Sequence, residues 1–171
     1  MRKQYNVSIK KELILIGTLF NEVKKQGFNA SNTIVVTVSG DYSSIVGQIM
    51  RHNLSFEGEI ADGFTVEVPY PDQTWKDDWF LSDLYLVFRR NAINFEGKTL
   101  LLVENGVIRG GNYKFLTKWI AENYPNVKIK TLTLFENKHS IFKSDFVGEY
   151  YNNDLLDLTF QWEKPNLHWS N

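Results

Sequence analysis

The chain has 171 residues, of which 43% are hydrophobic and 23% charged, and its 19 basic and 20 acidic residues give a net charge of −1. This length and composition are typical of one globular domain with a real hydrophobic core, which excludes a disordered or fibrous protein. The near-neutral charge disfavours a strongly basic nucleic-acid-binding protein, and the lack of cysteine excludes disulfides, thiolate metal sites and a cysteine nucleophile.

The sequence also bears on location. No apolar run approaches the roughly 20 residues that cross a bilayer. The first residues are polar and lack the apolar stretch of a signal peptide. We therefore expect a cytoplasmic protein with no membrane and no nucleic-acid partner.

The first half of the chain is predicted to alternate helices and strands. Ser8 is placed to cap a helix whose apolar face holds Ile9, Leu13, Ile16, Phe20 and Val23 at helical spacing. The β-branched run 33–38 predicts a buried strand, and a second helix is expected at about 44–52. Residues 64–68 alternate as in a strand, and residues 69–78 have the composition of an exposed loop.

The second half is predicted to contribute strands at 84–88, 98–103 and 127–135, of which 98–103 is the clearest central strand. A loop at 106–111 leads into a helix from about Tyr113 to Asn123. Buried strands separated by helices predict an α/β fold with a mainly parallel sheet covered on both faces. Ligands of such sheets bind beyond the carboxyl ends of the strands, where the loops 39–43 and 104–112 lie.

Residues 100–112 are the most informative segment, because they read as strand, acidic residue, glycine-rich loop and helix. A glycine-rich loop at a helix N-terminus presents backbone N–H groups to an anion, and an acid beside it accepts hydrogen bonds from sugar hydroxyls. The same spacing also fits an ordinary strand–helix turn whose glycines allow tight packing. The segment lacks both Gly-Lys-Ser/Thr and Gly-x-Gly-x-x-Gly, which excludes the common nucleoside-triphosphate and dinucleotide loops.

The stretch 103–112, Val-Glu-Asn-Gly-Val-Ile-Arg-Gly-Gly-Asn, resembles a degenerate form of the type I phosphoribosyltransferase motif of two acids, three variable residues and Thr-Gly-Gly-Thr. The small xanthine-guanine phosphoribosyltransferases are the most similar members. Tyr-Pro at 124–125, Asp-Phe-Val-Gly at 145–148 and Phe-Gln-Trp-Glu at 160–163 resemble further family motifs in the same order. The resemblance covers nearly the whole chain. It implies a single phosphoribosyltransferase-like α/β domain with a small hood from the chain ends.

The resemblance also implies an activity, which is transfer of phosphoribosyl from phosphoribosyl pyrophosphate (PRPP) to a purine nucleobase, with Mg²⁺ and a homodimeric assembly. It implies that Glu104 and Asn105 are the catalytic pair that holds the ribose hydroxyls. Three further groups of site residues are implied: Gly106, Arg109, Gly110, Gly111 and Asn112 for the 5′-phosphate; Ser39, Gly40 and Asp41 for the pyrophosphate; and Lys138, Phe146, Val147 and Asp157 for the base. The three histidines lack the spacing of metal ligands, so we predict no protein-built metal site.

Several family positions are altered in this sequence. Asn105 replaces the second acid, Ser39 replaces the Arg of the pyrophosphate loop, and Asp157 stands where a Trp stacks on the purine. Because Asp157 stands at the stacking position and Pro69 replaces the Ser of the family's mobile Ser-Tyr pair, we expect weak or absent turnover of 6-oxopurines. An alternative function is a module of the same fold that binds a nucleotide or ribose phosphate without turnover, and a third is a protein-interaction role with an empty cleft.

Overall fold

A computed structural model of the protein describes residues 3–38, 43–68, 78–152 and 156–160. Helices and strands alternate through most of this range. Their order is β1 (Lys3–Val7), α1 (Ile9–Lys25), β2 (Thr33–Val38), α2 (Ser43–Asn53), β3 (Asp62–Val66), α3 (Asp78–Asn91), a 3-10 turn (Ala92–Asn94), β4 (Thr99–Val107), α4 (Gly111–Asn123), β5 (Lys128–Asn137), β6 (Phe146–Tyr151) and β7 (Leu156–Phe160).

The main sheet has five strands in the order β3-β2-β4-β5-β6, and every neighbouring pair is parallel. The predicted parallel α/β sheet is therefore confirmed, with β4 at its centre. A second, two-stranded sheet joins the ends of the described chain, because β1 and β7 pair in parallel from Lys3↔Leu156 to Val7↔Phe160. This pairing corresponds to the expected small layer formed by the chain ends.

Successive side chains of each strand point to opposite faces of the main sheet, and helices pack against both faces. Val35 and Leu101 pack in one core cluster together with residues of α1 and α2. Ile34, Leu100 and Leu102 pack in the other cluster, with residues of α3 and α4. Burial of one such side chain contributes about 1.5–3 kcal/mol to folding. None of the helices in the described ranges is long and apolar enough to cross a membrane.

Helix α1 begins as predicted, and Ile16 and Val23 of its predicted apolar face are buried. The Ser8 side chain accepts a hydrogen bond from the Lys11 backbone N–H at 3.2 Å, which is the expected N-cap. The predicted positions Ile9 and Leu13 are 40% and 50% exposed. The stripe that faces the sheet holds Glu12, Ile16, Leu19 and Val23.

The strand predicted at 84–88 is wrong, since these residues lie inside the helix α3. Leu84 and Phe88 are four residues apart and both buried, whereas Tyr85 and Leu86 between them are about half exposed. That is the spacing of a helix face. Phe88 anchors the helix in an aromatic cluster, with ring centroids 5.3 Å from Phe64 and 5.1 Å from Trp119.

The central strand β4 is longer than predicted. It continues past residue 103, with Gly106 opposite Phe135 and Val107 opposite Glu136 on β5. Glu104, Asn105 and Gly106 therefore belong to the strand, and the loop between β4 and α4 is reduced to residues 108–110. Strand β5 is also longer than predicted and ends at Asn137. The strands β1, β6 and β7 were not predicted.

Candidate functional site

The candidate site lies at the carboxyl end of β4, where the strand gives way to α4. Gly110 is the residue before the helix and has φ 78°, the left-handed conformation that glycine adopts without strain. No side chain caps the start of α4. The turn thus has the backbone geometry of a helix N-terminus that can receive an anion.

Glu104 is the acidic residue of this strand end. Its carboxylate Oε1 accepts a hydrogen bond from the Asn112 side-chain amide at 3.1 Å, which joins β4 to the first turn of α4. Burial raises the pKa of Glu104 from 4.5 to about 8, and the Asn112 hydrogen bond lowers it in part. Near neutral pH the carboxyl group is therefore available both as a donor and as an acceptor.

Tyr113, in the first turn of α4, lies near this carboxyl group. It is fully buried, and its hydroxyl lies 2.5 Å from the Leu132 carbonyl oxygen and 3.2 Å from the Leu102 carbonyl oxygen. Burial, and after it the nearby charge of Glu104, raise the pKa of Tyr113 well above its usual value. The phenol is therefore a fixed donor between β4 and β5. The sequence analysis missed it, because helical periodicity predicts where a ring packs and not which carbonyl its hydroxyl reaches.

Asn105 is buried, with only 4% of its surface exposed. Neither its amide nitrogen nor its amide oxygen has a hydrogen-bond partner among the described residues. The pleat of the strand directs Asn105 to the face opposite Glu104. The two residues that the family resemblance assigns to one ribose are thus neighbours in the chain on opposite sides of the strand.

Arg109 and Gly110 form the tip of the loop. Arg109 is exposed and makes no ion pair with another described residue, so its guanidinium is available to a ligand. Its carbonyl oxygen accepts a 3.1 Å hydrogen bond from the Ile141 N–H of the β5–β6 loop. Gly111 and Asn112 follow in the first turn of α4, and Gly106 lies within β4.

The residues predicted to bind the base lie in several places. Lys138 is exposed just after β5, and Val147 lies in β6 opposite Thr133. Phe146 is buried, with its ring 5.9 Å from that of Phe28, so only its backbone is left for a ligand. Asp157 pairs with Gln4 in the small sheet. The predicted pyrophosphate residues, Ser39, Gly40 and Asp41, lie outside the described residues.

No protein-family model matches the sequence, and a comparison with curated proteins finds no relative. Solved structures are similar in fold. A purine phosphoribosyltransferase from Pyrococcus horikoshii is similar with a TM-score of 0.67 at 11% identity, covering 95% of both chains. The xanthine-guanine-hypoxanthine phosphoribosyltransferase of Helicobacter pylori has a TM-score of 0.66 at 15% identity, again covering 95% of both chains.

A third similar structure is a hypothetical protein from Neisseria gonorrhoeae with bound ppGpp. Its TM-score is 0.64 at 13% identity, covering 97% of this chain and 92% of that one. The five-stranded parallel sheet, the order of its strands and these three structures together give the chain the α/β fold of the type I phosphoribosyltransferases.

Proposed function

We propose that the chain is a divergent phosphoribosyltransferase that binds the ribose 5-phosphate part of PRPP at the carboxyl end of β4 and transfers it to a purine nucleobase. The observation that carries the proposal is the Glu104 carboxyl group beside the uncapped start of α4, joined to it by the 3.1 Å hydrogen bond from Asn112. An acid next to a helix N-terminus offers acceptors for ribose hydroxyls and backbone N–H groups for a phosphate. Asn105 lies on the other face of β4, with its amide buried, and is given no ribose contact in this proposal.

The neighbouring residues supply complementary chemistry. Sugar hydroxyls that donate to Glu104 would favour its ionised form, and the resulting charge-assisted bonds are about twice as strong as neutral ones. Arg109 and the backbone N–H groups at the start of α4 are suited to a phosphate group. Residues 104–112 thus offer a ribose end and a phosphate end within one strand–turn–helix unit.

The proposed reaction is a substitution at the anomeric carbon of the ribose. A ring nitrogen of the base forms the new C–N bond, and the C–O bond to pyrophosphate breaks with its electron pair going to the leaving group. Such a step depends on orienting the reactants and on stabilising separated charges. The residues of this site contribute by holding the ribose and its 5′-phosphate in place while the pyrophosphate departs.

Mg²⁺ is part of the proposal, because the substrate carries a pyrophosphate. The described residues contain no group of three or more His, Asp or Glu that could hold a metal ion by themselves. Their donor set fits an ion that binds mainly to ligand oxygens, since Mg²⁺ usually keeps several waters and takes few protein ligands. Glu104 is the carboxyl group of this strand end that would help to hold such an ion, and the ion would supply charge neutralisation for the leaving pyrophosphate.

A nucleotide-binding protein without turnover is the second candidate. The similar Neisseria structure holds ppGpp, so this fold accommodates a guanine nucleotide with several phosphates. The replacement of the second acid by Asn105 favours the same reading, because one charge of the ribose site is lost while a hydrogen-bonding group remains.

Calorimetry with ribose 5-phosphate, PRPP and ppGpp, followed by an assay with guanine, xanthine and hypoxanthine, tests both candidates. Glu104→Ala should weaken ribose 5-phosphate binding at least about tenfold, because each lost charge-assisted bond is worth about 1.5–3 kcal/mol. Arg109→Ala should lower the affinity for every ligand that carries a phosphate group. Lys118→Met, on the exposed side of α4, is the control and should bind as the parent does.

The outcomes separate the candidates. Product formation that depends on Glu104 supports the enzyme, and binding without product supports the nucleotide-binding protein. If neither Glu104→Ala nor Arg109→Ala changes the affinity of a ligand that binds the parent, the ligand does not use this loop and the proposal fails.

A further inference from the structure

Another buried carboxylate, Glu136, lies one strand away from the candidate site and has no part in the proposed function. It is in β5, opposite Val107 of β4, and its side chain is fully buried. Its Oε2 accepts a hydrogen bond from the Ser144 backbone N–H at 2.8 Å, and its Oε1 lies 3.5 Å from the Lys143 ammonium. Burying a carboxylate is unfavourable unless it is paired, so these contacts point to a specific task.

Among the described residues, the side-chain partners of Glu136 belong to the loop that joins β5 to β6, residues 138–145, which we call the β5–β6 loop. The Lys143 ammonium also donates to the Lys138 carbonyl oxygen at 2.8 Å, so it ties the end of the loop to its beginning. The Ser140 hydroxyl donates to the Phe142 carbonyl oxygen at 2.8 Å within the same turn. Glu136 therefore anchors a loop that is closed on itself.

The β5–β6 loop in turn contacts residues 108–112, which are the turn after β4 with the first two residues of α4 and which we call the phosphate loop. The Ile141 N–H donates to the Arg109 carbonyl oxygen at 3.1 Å. A methyl group added to Gly110 would collide with Ser140 Oγ and would lie 2.7 Å from Phe142 Cβ. The two loops are thus in close contact at Gly110, the left-handed residue that precedes α4.

We propose that Glu136 is a positioning residue: by anchoring the β5–β6 loop it fixes the Arg109–Gly110 turn and so sets the affinity of the phosphate loop for its ligand. Its part in ligand binding rests on the proposed function. Through this chain of contacts Lys138, just after β5, is linked to the phosphate loop. Glu136 contacts the β5–β6 loop, and that loop contacts the Arg109–Gly110 turn, so Glu136 acts on the turn indirectly.

Amide hydrogen exchange of Ile141 tests the link directly, because this N–H reports the contact between the two loops. Glu136→Gln keeps an acceptor for Ser144 but loses the charge that faces Lys143, and Lys143→Met removes the loop closure from the exposed side. Both variants should speed Ile141 exchange at least about tenfold relative to the core amide of Leu101. Lys143→Arg should keep the Ile141 exchange rate of the parent, since a guanidinium can make the same contacts.

The control is Asp62→Asn, which breaks the Lys98–Asp62 ion pair at the opposite edge of the sheet and should leave Ile141 unchanged. Ile141 exchange that stays at the parent rate, or that rises only in step with Leu101, overturns the proposal. In the ligand arm, Glu136→Gln should weaken ribose 5-phosphate about tenfold, and unchanged affinity in a variant with faster Ile141 exchange also overturns it. A parent protein that binds no ribose 5-phosphate defeats the proposed function, while the exchange measurement still decides whether the loops are coupled.

Discussion

The side-chain amide of Asn112 donates a 3.1 Å hydrogen bond to the carboxylate of Glu104. This contact ties the first turn of α4 to the central strand, and it is the specific interaction that favours the ionised form of Glu104. Burial acts in the opposite direction and dominates, so the pKa of Glu104 is raised to about 8. A ligand that adds donors to this carboxylate would shift the balance back towards the charged form.

The first prediction concerns pH. In the unfolded chain Glu104 loses its proton near its ordinary pKa of 4.5, whereas in the folded protein it keeps the proton up to about 8. The free energy of unfolding should therefore fall as pH rises through this window, because the folded state binds the extra proton. Glu104→Gln should remove this pH dependence. Relative to the parent, its free energy of unfolding should rise by at least about 1 kcal/mol between pH ~5 and pH ~9, since one pKa unit is worth about 1.4 kcal/mol.

Urea unfolding at several pH values checks this prediction. Glu122→Gln changes an exposed carboxylate on the neighbouring helix α4 and is the control, which should keep the pH dependence of the parent. Parallel curves for the parent and Glu104→Gln would show that Glu104 is not the group that titrates.

The second prediction separates two reasons for a glycine at position 110. Gly110→Ala places a Cβ in a left-handed conformation, at a cost of roughly 1–2 kcal/mol, and drives it into the β5–β6 loop, for about 1–3 kcal/mol more. Gly27→Ala is matched in conformation, with φ 88°, but its Cβ meets nothing within 4 Å. Chemical denaturation should show the larger loss for Gly110→Ala, and equal losses would mean that the loop gives way freely.

The third prediction sets stability against binding at Asn105. Because its amide has no partner among the described residues, Asn105→Leu should leave the free energy of unfolding unchanged or raise it by about 1 kcal/mol. The same change should leave ribose 5-phosphate binding as in the parent, because this amide lies on the face of β4 opposite Glu104. Asn91→Ala, which removes a 2.8 Å hydrogen bond to the Val87 carbonyl oxygen, should instead destabilise the protein. Thermal unfolding and calorimetry on both variants provide the comparison; a loss of stability in Asn105→Leu as large as that of Asn91→Ala would show that this amide has a partner in the folded protein.

The fourth prediction concerns the hydroxyl of Tyr113. Tyr113→Phe leaves the buried Leu132 carbonyl oxygen without its phenolic donor and should cost about 1–3 kcal/mol. Tyr150→Phe removes a hydroxyl from a residue that is 50% exposed and should have almost no effect. Urea unfolding of both variants measures the difference, and a loss below about 0.5 kcal/mol for Tyr113→Phe would show that the bridge between β4 and β5 contributes little.

The parallel sheet could be predicted because its strands carry strong local patterns. The run from Thr33 to Val38 is β-branched throughout and is buried at every position. The strand prediction for 84–88 was wrong because a short apolar run fits a strand and a helix equally well. In the folded protein the segment is helical, and Phe88 packs against Phe64 and Trp119, which are distant in sequence.

The candidate site was predictable in position but not in geometry. The acid, the glycines and the helix after them could be located from their order in the chain. The extension of β4 to Val107 depends on pairing with β5, and that pairing directs Glu104 and Asn105 to opposite faces. The burial of Glu136 and the contact between Ile141 and Arg109 also have no local pattern, because each joins segments that only the folded sheet brings together.

The pairing of β1 with β7 has a consequence for how the chain folds. These two strands are about 150 residues apart, so their association closes most of the chain into a loop and requires a large loss of conformational entropy. The five strands of the main sheet all lie between Thr33 and Tyr151, and their pairing does not depend on that closure. We therefore expect the main sheet to assemble first, and the two outermost strands to come together late, on a scaffold that already holds them near each other.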